Sequence, residues 1–146
     1  MSLEDGSVTL QFGDGEYLFR IAFGQWRELQ ESVNKPRLEI GEPPIGPMAL
    51  MRALLNGDAW PHDVREIIRL GLIGGGMKTD RALVLVKRYV EARPHYLSMV
   101  PARAILQCAM FGPPDDPAGK EPTPPEPETA TADPSGLVNS TASVLQ

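Results

Sequence analysis

Two short segments near the start of the chain alternate between apolar and polar residues. The first is Val8–Phe12 and the second is Tyr17–Ile21, with Gly13-Asp14-Gly15 between them. Alternation with a period of two is typical of a strand with one buried face, and glycine supplies the backbone freedom of a tight turn. The pattern therefore predicts a β-hairpin. One face of the second strand carries three large side chains: Tyr17, Phe19 and Ile21.

From Phe23 onward the spacing of apolar residues changes to three and four, which is the period of a helix. In the first helical segment the apolar stripe consists of Phe23, Trp26, Leu29 and Val33. In the fourth the inward positions are Ala82, Leu83, Val86, Tyr89 and Val90. Five helices are predicted, from Phe23 to Val33, from Met48 to Leu55, over 61–73, over 80–93, and from a cap at Ser98 to Phe111.

Proline, glycine and capping residues set those bounds. Pro36 ends the first helix, because the residue before a proline disfavours helical backbone, and the proline-rich segment 35–47 is predicted to be a loop. Thr79 and Ser98 are predicted N-caps of the fourth and fifth helices, and Pro101 then falls in a first turn, where its missing N–H costs nothing.

The predicted order is two strands, about five short helices and a C-terminal tail. No strand–helix–strand alternation is present, which argues against a parallel nucleotide-binding sheet. Because two strands alone are marginally stable, the hairpin must pack on the helices. The predicted fold class is α+β, mostly helical.

Charge divides the chain near Gly112. Residues 1–112 carry 13 basic and 13 acidic side chains, so the net charge of −5 comes from the one base and six acids that follow. All nine aromatic residues precede Gly112, and eight of the 15 prolines follow it. This composition predicts one globular domain over 1–112 and a disordered, acidic, proline-rich tail over 113–146.

Composition also excludes several classes of protein. A neutral domain has no overall attraction for nucleic acid, and the acidic tail opposes such binding. The single cysteine, Cys108, forms no intrachain disulfide and is expected to be a buried thiol in a reducing compartment. The polar start of the chain is unlike a signal peptide, and no apolar run is long enough to span a membrane. The expectation is a soluble cytoplasmic protein.

Catalytic and ligand-binding motifs are weak. The segment Gly71–Thr79 is similar to the sequence motif of a phosphate-binding loop, in which a lysine directly follows the last glycine. Here Met77 separates Gly76 from Lys78, and the segment follows a predicted helix instead of a strand. A helix-to-helix turn is the favoured interpretation. His62 and His95 have no metal-ligand spacing with Cys108, and surface or capping roles are expected for both. The sequence therefore predicts no catalytic residue, no cofactor and no metal.

Basic residues on the third and fourth predicted helices leave one alternative open. A small DNA-binding regulator would place the helices over 61–73 and 80–93 in a groove. Acidic neighbours dilute the patch, so solvated helix faces are the favoured interpretation. The residues concerned are Arg65, Arg69, Arg81, Lys87, Arg88 and Arg93.

Methionine-rich and exposed apolar segments are the candidates for a protein interaction, because methionine adapts to irregular partners. The predicted partner-binding residues lie on the second helix, in the glycine turn and in the tail: Met48, Met51, Leu54, Leu55, Met77, Leu137 and Val138. Core filling by the methionines and a fraying terminus are the plainer alternatives.

Three parts of the chain resemble the gene-transfer-agent tail proteins of alphaproteobacteria and their phages. The first runs from Val8 through the hairpin to Phe23-Gly24-Gln25-Trp26-Arg27-Glu28-Leu29. The second is Val64–Leu72 with the glycines and Thr79-Asp80 that follow, and the third is Ala104 to Pro113. The resemblance covers about residues 6–114 and rests on core and turn residues in the same order.

The resemblance implies a role in building a siphophage-type tail, without catalysis. Family members are described both as tail tube components and as tail assembly chaperones. One hairpin and five helices suit a small helical adaptor better than a tube wall built of continuous β-sheet. The implied function is therefore a chaperone of the host bacterial cytoplasm, whose partners are the tape measure protein and the tail tube protein. A structural tail component is the alternative within the same family.

Overall fold

The computed structural model describes residues 5–113. Two antiparallel strands, β1 (Val8–Phe12) and β2 (Gly15–Phe19), precede five α-helices. The helices are α1 (Phe23–Glu39), α2 (Pro47–Asn56), α3 (Pro61–Gly74), α4 (Thr79–Val86) and α5 (His95–Phe111), and a π-helical turn over Lys87–Glu91 extends α4. The predicted α+β, mostly helical class is confirmed. The predicted tail over 113–146 lies, apart from Pro113, outside the described residues.

The hairpin closes through a two-residue turn, since Phe12 pairs with Gly15 across the sheet. Phe12 makes edge-to-face contacts with Phe19 and Tyr89, at ring-centroid distances of 5.8 and 5.9 Å. Such aromatic pairs stabilise beyond their buried area. Phe19 is fully buried and Ile21 is buried beyond the end of β2. One face of the hairpin therefore joins the helical core, as predicted.

Helix α3 is the centre of the packing and contacts α1, α4, α5 and β2. Four apolar residues at helical spacing on α3, Val64, Ile67, Ile68 and Leu72, are at most 1% exposed. Leu70 is also fully buried, because α3 is enclosed on more than one side. None of the helices within residues 5–113 combines the length and the hydropathy that a membrane span requires.

The predicted end of the first helix is wrong. Helix α1 continues through Pro36 to Glu39, so the loop after it is shorter than the predicted segment 35–47. Partners on α3 stabilise this extension, as described below. Helix α2 begins with Pro47 and ends at Asn56, and its C-cap is Gly57, whose φ of 79° is the left-handed conformation that glycine favours.

Two predicted caps are also wrong. Thr79 is the first residue of α4 rather than its N-cap, and no side chain caps this helix. Ser98 is buried within α5, which starts three residues earlier because Pro94 supplies a favourable helix entry. On α4 the inward positions are Ala82, Leu85, Val86 and Val90, whereas Leu83 is only half-buried.

Candidate partner-binding site

An apolar groove lies between α1 and the start of α2. Its volume is about 280 Å³, and buried side chains of Leu29, Val33 and Leu50 form its floor. Phe23, which is 78% exposed, and the half-buried Trp26 also line it. The remaining lining residues are Arg27, Gln30, Ile45, Gly46 and Pro47. An exposed phenylalanine beside an apolar depression is the kind of surface that protein partners cover.

Asn34 fixes the two walls of this groove relative to each other. Its side-chain oxygen accepts a 2.8 Å hydrogen bond from the backbone N–H of Ile45, and its amide nitrogen donates to the carbonyl oxygen of Ile45 at 3.0 Å. The same nitrogen donates to the carbonyl oxygen of Gln30 at 2.9 Å. Because Asn34 is only 6% exposed, these bonds are shielded from competing water. The loop that leads into α2 is thus tied to α1.

The C-terminal part of α1 is held by an ion pair with α3. The guanidinium of Arg37 donates to both carboxylate oxygens of Asp63 at 2.7 Å, and it lies 4.3 Å from the ring centroid of Trp60. Arg37 is 6% exposed and Asp63 is fully buried. Asp63 also accepts a 2.9 Å hydrogen bond from the backbone N–H of Trp60. A single carboxylate therefore binds a backbone donor at the start of α3 and the Arg37 side chain near the end of α1.

A second polar cluster joins the middle of α1 to α3. Glu66 is 3% exposed and accepts hydrogen bonds from Ser32, Arg65 and Arg69 at 2.6–3.0 Å. Burial raises the pKa of Glu66, but the bonds from Arg69 and Ser32 and the charges of Arg69 and Arg65 outweigh it and lower the pKa below its usual value. Glu66 is therefore a charged structural anchor behind the groove.

Sequence patterns do not reveal these buried acids. Asp63 and Glu66 match the acidic residues that complement the start of a helix, which are ordinarily exposed. No local pattern connects Arg37 to Asp63 or Ser32 to Glu66, which lie 26 and 34 residues apart.

The predicted partner-binding residues fall into three groups. Met48 and Leu55 lie on the outer face of α2, where they are 48% and 57% exposed. Met51 and Leu54 point to the core and are 2% exposed, so they cannot touch a partner while the domain is folded. Met77 is half-buried beside Lys78 in the turn after α3. Leu137 and Val138 lie outside the described residues.

The groove residues Phe23, Trp26, Ile45 and Pro47 are not among the predicted partner contacts. The spacing of apolar residues assigns Phe23 and Trp26 to the inward apolar stripe of the first helix. Apolar periodicity shows that these residues share a face of the helix, but it does not show whether that face is in contact with the core along its whole length. Phe23 is the first residue of α1 and is 78% exposed, and no local pattern in the sequence indicates this exposure.

The glycine-rich turn has a packing role. A Cβ atom on Gly74 would lie 1.8 Å from the carbonyl oxygen of Arg20, and one on Gly75 would lie 2.0 Å from that of Leu18. Only glycine lets the end of α3 approach the hairpin backbone this closely. The helix-to-helix turn predicted for this segment is confirmed, and the phosphate-loop alternative has no strand before it.

Both histidines contact backbone carbonyl groups, and the cysteine is buried. The Nε2 atom of His62 lies 3.1 Å from the carbonyl oxygen of Ser32, and that of His95 lies 3.1 Å from the carbonyl oxygen of Ala59. Cys108 is buried, as expected. Within residues 5–113, no group of three or more potential ligand side chains could hold a metal ion.

The two arginines of α3 that a DNA-binding role would require are committed to carboxylates. Arg65 donates to Glu66 and Glu91 at 2.6 Å, and Arg69 donates to Glu66 and, at 3.4 Å, to Glu28. Their charges are therefore largely compensated within the domain.

Over residues 5–112 the chain matches the family described as "phage tail tube protein, GTA-gp10". This match spans most of the chain and coincides with the hairpin and the five helices. Comparisons with curated proteins and with solved structures find no match.

Proposed function

The chain belongs to the GTA-gp10 family of phage tail tube proteins, and from this premise we propose that it acts as a non-catalytic tail assembly chaperone. In this proposal the groove between α1 and α2 binds an apolar stripe of a helical partner, the tape measure protein. The chaperone covers this stripe in the host bacterial cytoplasm and helps to recruit tail tube protein. The exposed Phe23 at the edge of an apolar groove is the observation that carries the proposal.

The dimensions of the groove suit a helix better than a small molecule. Its volume of about 280 Å³ falls just below the roughly 300–1,000 Å³ that is usual for small-molecule sites. Its α1 wall extends from Phe23 to Val33, which is about 15 Å of helix at 1.5 Å per residue. A facing helix presents apolar residues at i, i+3, i+4 and i+7 over that length.

The outer face of α2 extends the apolar surface beyond the groove. Met48 and Leu55 lie seven residues apart on this face, with the exposed Arg52 between them. Methionine side chains adapt to partners of irregular shape, which suits a chaperone that must cover several similar stripes. A surface of this modest size favours reversible binding, which displacement by incoming tube subunits requires.

A structural tail component is the second candidate, and the description of the family favours it. In that case the chain would remain in the finished particle, with its neighbours in the tail as partners. The described part of the chain offers one hairpin of two five-residue strands for sheet pairing, which supports the chaperone more than a tube wall. Mass spectrometry of purified particles separates the two, since a chaperone is lost during assembly and a tail component is retained.

Co-expression of the full chain with the tape measure protein tests the chaperone proposal. The tape measure protein should become soluble and should co-purify with the chain. Phe23→Ser should abolish both effects without a change in melting temperature, because this side chain is largely exposed. Tyr96→Ser is the matched control, since Tyr96 is an aromatic residue near the start of another helix and is 74% exposed. Equal loss with both variants, or no rescue by the parent chain, would overturn the proposal.

The remaining assignments are proposals of the same kind. We propose that residues 1–112 form the functional domain and that 113–146 are accessory, adjusting solubility or timing. The ion pairs of Arg65 and Arg69 argue against the alternative function as a small DNA-binding regulator. A gel shift at low salt tests it directly, because protein–DNA affinity falls steeply as salt rises.

A further inference from the structure

The outer face of α4 and of the π-helical turn carries a compact group of basic residues. Arg81, Lys87 and Arg88 surround Val84 at spacings of three and four residues, and all four side chains are exposed. Val84 is 52% exposed. We refer to these four residues as the basic face.

Within the described part of the chain the cations of the basic face form no ion pair, and the guanidinium of Arg81 donates a hydrogen bond to the hydroxyl of Tyr17. Four other arginines form ion pairs there, namely Arg20, Arg37, Arg65 and Arg69. By contrast, no carboxylate of residues 5–113 lies within 4 Å of a cationic group on the basic face. Asp80 is next to Arg81 in sequence, but its oxygen accepts the backbone N–H of Arg81 at 2.9 Å.

The π-helical turn explains why the natural counter-charge is missing. Glu91 lies four residues after Lys87, and in a regular α-helix this spacing brings the two charges together. In the π-helical turn the spacing of neighbouring residues along the face changes, and Glu91 instead accepts a 2.6 Å hydrogen bond from Arg65 of α3. Lys87 and Arg88 are left as exposed cations. Turns of this kind are frequent at functional sites.

We propose that the basic face docks an acidic segment of a second protein, with an apolar residue of that segment placed against Val84. The exposed cations call for carboxylates, Lys87 and Arg88 most of all because Arg81 also contacts Tyr17, and their arrangement around an exposed valine calls for an apolar centre. A nucleic acid backbone would satisfy the cations but would bury Val84 against phosphates. Protein partners bury an apolar centre and keep charges at the rim.

This surface is separate from the groove. Helix α3 contacts both α1 and α4, so the groove and the basic face lie on helices that flank α3. With two surfaces of different chemistry, the domain has the layout of an adaptor that holds one partner through apolar contacts and another through charge. The inference does not depend on the identity of the groove's partner.

Fluorescence anisotropy of a labelled 16-residue helical peptide tests the inference with the full chain. The peptide carries a central leucine flanked by glutamates at three- and four-residue spacing. Binding should weaken about tenfold in Lys87→Gln/Arg88→Gln, because two exposed ion pairs contribute a factor of roughly two to five each. It should weaken severalfold in Val84→Ser. Lys35→Gln/Arg52→Gln, which removes the same charge from α1 and α2, should bind like the parent chain.

Three results would overturn the inference. The first is absence of peptide binding at low salt. The second is an equal loss of affinity in the control variant, which would indicate attraction to net charge alone. The third is tighter binding of a 16-base-pair DNA duplex combined with no effect of Val84→Ser, which would assign the face to nucleic acid. Failure of the tape measure rescue affects none of these readouts, so the two proposals fail independently.

Discussion

The imidazole Nε2 of His62, on α3, lies 3.1 Å from the carbonyl oxygen of Ser32, on α1. In an uninterrupted helix this oxygen would accept the backbone N–H of residue 36, but residue 36 is proline and has none. The Ser32 hydroxyl lies equally close to Nε2, at 3.1 Å, but donates its own hydrogen to Glu66, which leaves Nε2 as the donor to the carbonyl oxygen in the tautomer protonated at that nitrogen. His62 thus replaces the bond that Pro36 removes, and α1 continues for another turn.

The first prediction follows from this replacement. His62→Ala should lower the free energy of unfolding by about 0.5–1.5 kcal/mol, the usual net contribution of one hydrogen bond, because Ser32 is half-buried. In a Pro36→Ala background the cost should be much smaller, since the substitution restores the helical N–H donor. Urea unfolding of the four proteins measures the coupling between the two sites. Equal costs in both backgrounds would show that His62 does not substitute for the missing bond.

Stability should also depend on the charge of Glu66. Its pKa in the folded state is lowered from the ordinary value of 4.5, so the folded state binds its proton less readily than the unfolded state. The stabilisation is complete above pH 4.5 and is lost as the pH falls through the folded pKa. Urea unfolding between pH 7 and pH 3 should therefore give a steeper acid loss for the parent chain than for Glu66→Gln. Parallel curves for the two proteins would contradict this assignment.

The glycines after α3 give a sharp steric prediction. In Gly75→Ala the new Cβ would lie 2.0 Å from the carbonyl oxygen of Leu18, and either the strand or the end of α3 must move. Such overpacking costs about 1–3 kcal/mol. Gly24→Ala is the control, because its Cβ meets no atom within 4 Å and alanine favours helix by about 0.5–1 kcal/mol. Thermal melts should shift in opposite directions, and a stable Gly75→Ala protein would refute the close approach.

Much of the fold follows from local patterns. The alternation of apolar and polar residues over Val8–Phe12 predicts the first strand of the hairpin. Pro47 favours the start of α2 and Gly57 favours its end, and each does so through its own backbone conformation. Local patterns do not reveal interactions between residues that are distant in sequence. Pro36 indicates the end of a helix, but His62 and Asp63 of α3, which are distant in sequence and adjacent in space, stabilise its continuation.

The candidate site was predictable only in part, because apolar periodicity is local information. Apolar periodicity identifies which residues share a face of a helix, but it does not tell whether that face meets the core or solvent. Met51 and Leu54 share the core face of α2, whereas Met48 and Leu55 lie outside it. Phe23 belongs to the inward stripe of α1 in sequence, yet it is the first residue of the helix and its ring is 78% exposed.

The boundary proposed at residue 112 gives the last prediction. Helix α5 ends at Phe111, all nine aromatic residues lie before Gly112, and the family match ends at residue 112. Deletion of 113–146 should therefore leave a domain with a cooperative thermal melt. Its net charge rises from −5 to zero (13 basic against 13 acidic side chains), so its solubility near neutral pH should fall.

A longer deletion, of residues 104–146, supplies the control for this experiment. It removes the buried Ile105 and Leu106, and each such side chain contributes about 2–5 kcal/mol, so cooperative unfolding should disappear. Circular dichroism melts of the two truncated proteins and the full chain make the comparison. If the chain ending at residue 112 also melts without cooperativity, the division into a functional domain and an accessory segment is wrong.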